Sequence, residues 1–313
     1  MRLPSKKQLQ LIAAAVVAVC VIVAAVIIGL AIYHNSPGQR CVQALGAIEA
    51  SDVRIAQIDT LLGSPLSTET TSQVQLATES IATAQSALDR ARSLIDAIAP
   101  RTFWRTSSLD FIPGHATRRA KTAAQTERVR RSLNARYALL AVAPRLLDET
   151  SSTASALSHA AQGWQNLQDA ADLTASAEQE FARQTQDAMV TSHQSSTQAA
   201  DAYAQAAEQF QAAARLAPKA DFSGYLAYIE QRTLMTQSAL LACEDWINGH
   251  YQDANTDVNA YNSFAQAAAD IAAGGLQLPS DLLATAYQQQ ARPLQKAYDR
   301  ARAEVLRADA ALR

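Results

Sequence analysis

The chain has 313 residues, 49% of them hydrophobic, and a formal net charge of −2. That length holds one or two domains with a real core, and the near-neutral balance excludes the strongly basic profile of a general nucleic-acid binder. Glycine and proline are scarce, at 10 and 9 residues, while Ala, Gln, Leu, Ser and Thr abound, which favours helix because Ala and straight-chain residues lose little on entering one.

The first predicted element is the uncharged run Leu11 to Tyr33, dense in Val, Ile, Leu and Ala. As a helix it would extend roughly 34 Å, enough to cross a bilayer core. Arg2, Lys6 and Lys7 precede it, and Arg40 is the first formal charge after it. The positive-inside rule then makes 1–10 a short cytoplasmic tail, 11–33 a single-pass transmembrane anchor and 34–313 an extracytoplasmic domain of a cell-membrane protein. A cleaved signal peptide is the alternative, but its apolar core is shorter, about 7–15 residues, and "LAIYHNSPG" lacks an A-x-A site. On the oxidising side of a membrane Cys41 and Cys243 could form a disulfide, worth about 5 kcal/mol in the chain-entropy model. Two free thiols, or an intermolecular bridge, remain open.

A helix over about 39–62 carries Leu45, Ile48, Ile55 and Ile58 on one side, and "GSPLST" turns the chain, with Ser67 or Thr68 as a cap. Val74, Ala77, Ile81, Ala84, Leu88, Ala91, Ile95 and Ile98 then recur at alternating spacings of three and four, a coiled-coil-type seam in which alanine alternates with larger side chains as far as Ile95. A third helix from near Ala116 continues the seam through Val129, Leu133, Arg136, Leu140, Ala143 and Leu147, with a kink or break expected at Pro144. The stripe Leu157, Ala160, Trp164, Leu167, Ala171, Thr174, Glu178 and Phe181 follows, with a polar break placed at "TSHQSST" (191–197). Ala199, Tyr203, Ala206 and Phe210 lead to Pro218, and Asp221 is placed to cap a helix carrying Tyr225, Ile229, Leu234 and Trp246. The last helix, capped by Ser280, carries Leu283, Tyr287, Leu294, Ala301 and Val305 and a kink at Pro293. No stretch alternates like a strand. The predicted fold is therefore all-α, an extracytoplasmic bundle of long antiparallel coiled-coil-like helices with sub-parts about 39–150 and 151–313.

Two short stretches resemble tetratricopeptide-type helical-hairpin repeats. Ala206, Phe210, Ala213 and Pro218 are spaced like that family's second helix, and Leu241, Ala242, Gly249, Tyr251 and Ala254 like its first helix and turn. The matches do not recur at the family's 34-residue period, and the resemblance implies helical hairpins at 206–218 and 241–254 and nothing for the rest of the chain.

Between the second and third helices lies "APRTFWRTSSLDFIPGHA", where Arg101, Phe103, Trp104, Arg105 and Phe111 sit together in a chain only 6% aromatic. With Arg118 and Arg119 they form the candidate contact site, read three ways: a membrane-interface belt, a protein-docking surface, or a plug for the open end of the bundle. Basic residues crowd 101–145, whereas 148–281 is mainly acidic. That asymmetry suits an oriented contact with an anionic partner, or an internal neutralisation of the basic helix by the acidic ones.

Motifs for catalysis are missing. His34, His115, His159, His193 and His250 stand singly, without metal-ligand spacing, and there is no nucleophile elbow, phosphate loop or dinucleotide fingerprint. "DANTDVN" (253–259) lacks the Gly and Glu of a calcium loop. The reading is a non-catalytic adaptor or structural subunit of an envelope assembly, with no cofactor or metal, partnered by the membrane and another envelope protein, and able to form oligomers. A ligand-binding or sensory domain, with a pocket near Trp164, Tyr203 or Trp246, is the alternative; an envelope enzyme is the second.

Overall fold

A computed structural model describes residues 36–67, 69–98 and 115–312. Among the described residues the protein is all-helical: α1 (Pro37–Leu62), α2 (Thr70–Asp96), α3 (His115–Phe181), α4 (Gln186–Leu216), α5 (Ser223–Ile247), α6 (Tyr251–Ala273) and α7 (Pro279–Leu312). The chain divides into two compact units, one of 1–59, 79–143 and 298–313, the other of 60–78 and 144–297.

The described part of the first unit is an up-down arrangement, legible in its polar rungs. Arg40 reaches the carbonyl of Ala97 while Gln57 accepts from Ser80, so α1 and α2 run antiparallel. Asp96 meets Arg130 and Asp89 meets Tyr137, which reverses direction again between α2 and α3. Asp52 and Asp309 share one guanidinium and Asp59 binds Tyr298 and Arg302, so α7 descends along α1. The two α1–α7 rungs are a heptad apart on both helices, from Asp52 to Asp59 and from Asp309 to Arg302, which keeps them on one face. All eight seam positions expected from Val74 to Ile98 are buried, and so are the six expected on α3 from Val129 to Leu147, with Val74, Ala77 and Leu147 belonging to the second unit.

The second unit holds the rest of α3 with α4, α5, α6 and the start of α7. Ser192 bonds the Ala177 carbonyl, Tyr203 meets Thr174, and a Cβ on Gly163 would lie 3.2 Å from the Phe210 ring, so α3 and α4 are antiparallel and closely approached. α5 packs on both α4 and α6. The core here is aromatic: Phe210 stacks on Tyr225 at 4.7 Å, with Phe222 against both and Trp164 edge-on to Tyr225. The predicted hairpins at 206–218 and 241–254 correspond to the α4–α5 and α5–α6 turns.

Several expectations are corrected. The chain turns at 182–185, not within 191–197: Gln184 takes a left-handed φ of 53° and the Thr185 side chain accepts the Ala188 N–H, which starts α4 at Gln186, ahead of the polar stretch. At Pro144 the helix is not interrupted, α3 continuing through it, and Pro293 likewise lies inside α7; a kink at either proline is compatible with that continuity. The single-pass, extracytoplasmic placement is also corrected, because among the described residues no helix is long and apolar enough to cross a membrane. Length is ample, from 23 residues in α6 to 67 in α3, but an apolar stripe on one side is backed by charged residues on the exposed side, as with Glu79, Asp89, Arg90 and Arg92 on α2. The run 11–33 lies outside the described residues. So do Arg101, Phe103, Trp104, Arg105 and Phe111.

Candidate functional site

Three features of the described residues bear on function, and the first is the buried ion cluster of the first unit. Arg136 occupies a seam position on α3 with its side chain only 1% exposed, where an unpaired charge would be very costly. Its Nε and Nη2 grip Asp52 bidentately at 2.8 and 2.7 Å, while Nη1 and Nη2 each reach Asp309 at 2.9 Å. Nη1 also donates to the Ser132 side chain and carbonyl, which leaves none of the five N–H groups without an acceptor. Burial pulls the guanidinium pKa down, but the hydrogen bonds and charges of Asp52 and Asp309 outweigh it and hold the group above the ordinary arginine value. The cluster joins α1, α3 and α7 with its chemistry turned inward, the signature of a structural clamp.

The second feature is a shallow open groove of about 830 Å³ on the first unit, between α1 and α2. Gly46, Ala47, Ala50, Ala82, Ser86 and Ala87 form its floor and walls. Exposed Val42 and Val53, at 59% and 62%, lie beside the groove rather than in its lining, within a quarter-turn of Gly46 and Ala50 on α1. Arg90 lines the groove, and among the described residues no carboxylate pairs with its guanidinium.

The third is a half-enclosed cleft of about 210 Å³ in the second unit, where α3, α4, α5 and α6 meet. Its walls explain its existence. The large aromatics Phe210, Phe222 and Tyr225 fill the other end of this unit, whereas here the helices meet through Ala177, Ala182, Ser192, Ser196, Ala239 and Ala242, too small to close the space. Beside it, Tyr203 bonds Thr174 of the wall at 3.3 Å and accepts from Arg232 Nε at 3.0 Å. Arg232 lies 5.8 Å from the ring centres of both Tyr203 and Tyr228, a cation–π seat that needs no carboxylate. Tyr261 donates to Glu178 across the cleft, and burial with that bond and charge pushes its phenol well above the usual tyrosine value.

No family model, curated protein or solved structure matches this chain.

Against the predicted site, the structure is selective. Arg118 and Arg119 fall in α3, at positions whose side chains lie outside the described set. Further along the same helix, Arg130 meets Asp96 and Glu127, Arg131 meets Glu127, and Arg136 is consumed internally, so part of the basic stretch is neutralised within the first unit. The Cys41–Cys243 disulfide is corrected: both thiols are free and buried, Cys41 beside Thr126 at 3.7 Å and Cys243 donating to Ser192 at 3.5 Å. Burial raises both thiol pKa values, each eased by its hydroxyl neighbour. Of the aromatics marking a possible pocket, Tyr203 stands one hydroxyl from the cleft, Trp164 packs on Tyr225 and Trp246 on Tyr251. The cleft itself escaped sequence reasoning because alanine and serine in an Ala-rich helical chain carry no distinguishing signal.

Proposed function

We propose that the chain is a non-catalytic helical adaptor that seats a partner protein's helix in the α1–α2 groove. The groove is the observation that supports this reading. Small residues on adjacent helices let a third helix approach to about 8–10 Å between axes, and an exposed apolar face on a folded surface is a recognition feature. Val42 and Val53 supply apolar contact, and Arg90 favours a partner helix with a carboxylate on its inward face. Arg101, Phe103, Trp104, Arg105 and Phe111, with Arg118 and Arg119, provide a second contact of hot-spot composition.

The test is photo-crosslinking in cells from probes at positions 82 and 104, with adducts mapped by mass spectrometry. The expected result is a position-82 adduct on a helical segment of one partner, lost in Arg90→Glu and regained when a facing carboxylate of that segment is changed to lysine. Adducts confined to the chain itself at both positions would overturn the reading.

A further inference from the structure

We propose that the cleft of the second unit is a binding site for a small, neutral, largely apolar molecule of about one ring, bearing a single hydroxyl or carbonyl group that Ser196 recognises. The volume sets the size. An engineered apolar cavity of about 150 Å³ holds benzene, so a cleft of about 210 Å³ accepts a ring with one small substituent. The walls set the polarity. Phe181, Ala177, Ala239 and Ala242 present carbon, and most hydroxyls at the rim are already engaged. Thr174 donates to Ala170 and meets Tyr203, Ser192 donates to Ala177, and Thr236 donates to the Arg232 carbonyl.

Ser196 is the exception. It lines the cleft, is 2% exposed, and among the described residues its hydroxyl has no hydrogen-bond partner. Its α4 neighbours Thr191 and Thr197 return their hydroxyls to helix carbonyls four residues back, and Ser196 does not. A buried hydroxyl left unpaired costs about 1–3 kcal/mol, and a ligand that pairs with it recovers that loss. Asn262, the other lining residue whose polar side chain is not engaged among the described residues, is exposed to water, so one buried free donor-acceptor group in an apolar wall specifies one polar group on the ligand. The charges specify neutrality. The only carboxylate in the lining, Glu178, is exposed to water and accepts from Tyr261, and the nearby Arg232 is occupied by Tyr203 and Tyr228, so neither is a buried charge left for a ligand to balance.

The experiment is isothermal titration calorimetry of the full chain with p-cresol and, as its hydroxyl-free counterpart, toluene. Two variants are compared. Ser196→Ala removes the hydroxyl with a gain in helix propensity, and Ala239→Met fills the cleft from the half-buried α5 wall with a flexible side chain that helices tolerate. Circular dichroism confirms that both fold. The expected result is that p-cresol binds more tightly than toluene, that Ser196→Ala weakens p-cresol about tenfold and leaves toluene unchanged, and that Ala239→Met abolishes both. Absence of binding by either probe overturns the site. So does binding that survives Ala239→Met, since it must then lie elsewhere. An unchanged preference for p-cresol in Ser196→Ala overturns the recognition by Ser196.

Discussion

Replacing Arg136 with methionine tests what holds the first unit together. The substitution keeps a linear apolar stem of similar reach and deletes the guanidinium, stranding Asp52 and Asp309 against one another. The magnitude follows from exposure. The Arg136 side chain is 1% exposed, but those of Asp52 and Asp309 are 38% and 33% exposed. Removing one partner of a buried ion pair costs about 3–5 kcal/mol. Because the stranded carboxylates keep access to water, the loss falls at the lower end, about 3 kcal/mol. The assay is equilibrium urea unfolding followed by far-ultraviolet circular dichroism, with the triple variant Arg136→Met, Asp52→Asn, Asp309→Asn alongside. Neutral replacement of a whole buried ion cluster is often close to harmless, so the triple variant recovers at least half of the loss. An Arg136→Met protein within about 1 kcal/mol of the parent would refute the clamp. A triple variant no more stable than the single one would refute stranded charge as its basis.

Tyr137 donates to Asp89 at 2.5 Å, and burial, with the bond and charge of Asp89, pushes its pKa up to about 12. A phenol harder to ionise in the folded protein stabilises it fully below about pH 10 and loses that contribution as pH rises toward 12. Tyr137→Phe therefore flattens part of the decline in urea-unfolding stability over that window, and parallel declines would count against the assignment. Phe210, with no exposed surface and Tyr225 stacked at 4.7 Å, anchors the second unit; Phe210→Ala costs about 3–5 kcal/mol, measurable by the same unfolding, and a loss under about 1 kcal/mol would show that the aromatic stack is dispensable. Cys41 and Cys243 react slowly with a thiol reagent in the native protein because both are buried with raised pKa values. Both are labelled after urea denaturation without reductant, and failure to label them would reinstate a disulfide.

The helical periodicity of α2 and α3 was legible because a seam needs only local spacing: every position from Val74 to Ile98 expected inward is buried. Arg136 also fell on its seam by spacing alone. Its partners could not be read the same way, since Asp52 and Asp309 lie 84 and 173 residues from it in sequence. The polar stretch 191–197 looked like a break because serines and threonines favour turns; in the folded chain Thr191 and Thr197 satisfy themselves on helix carbonyls and Ser192 bonds α3 instead. The cysteine pairing rested on an oxidising compartment inferred from 11–33, and each thiol has a hydroxyl neighbour in its own unit. The α1–α2 groove and the α3–α6 cleft are defined by side chains that are small, and periodicity reports where bulk is present.

The α1–α7 rungs also impose an order of assembly. Residues 36–143 emerge early in synthesis, yet the carboxylate of Asp309 that completes the grip on Arg136 is made only after all of 144–297. Chains grow at about 5–20 residues per second, so the intervening stretch takes on the order of ten seconds to appear. During that interval the nascent first unit carries an open face where α7 will lie, while nearly all of the second unit is free to form. Closure of the first unit is thus a long-range step, and until it happens the apolar surface that α7 will cover is the kind that makes partly folded chains prone to mispairing.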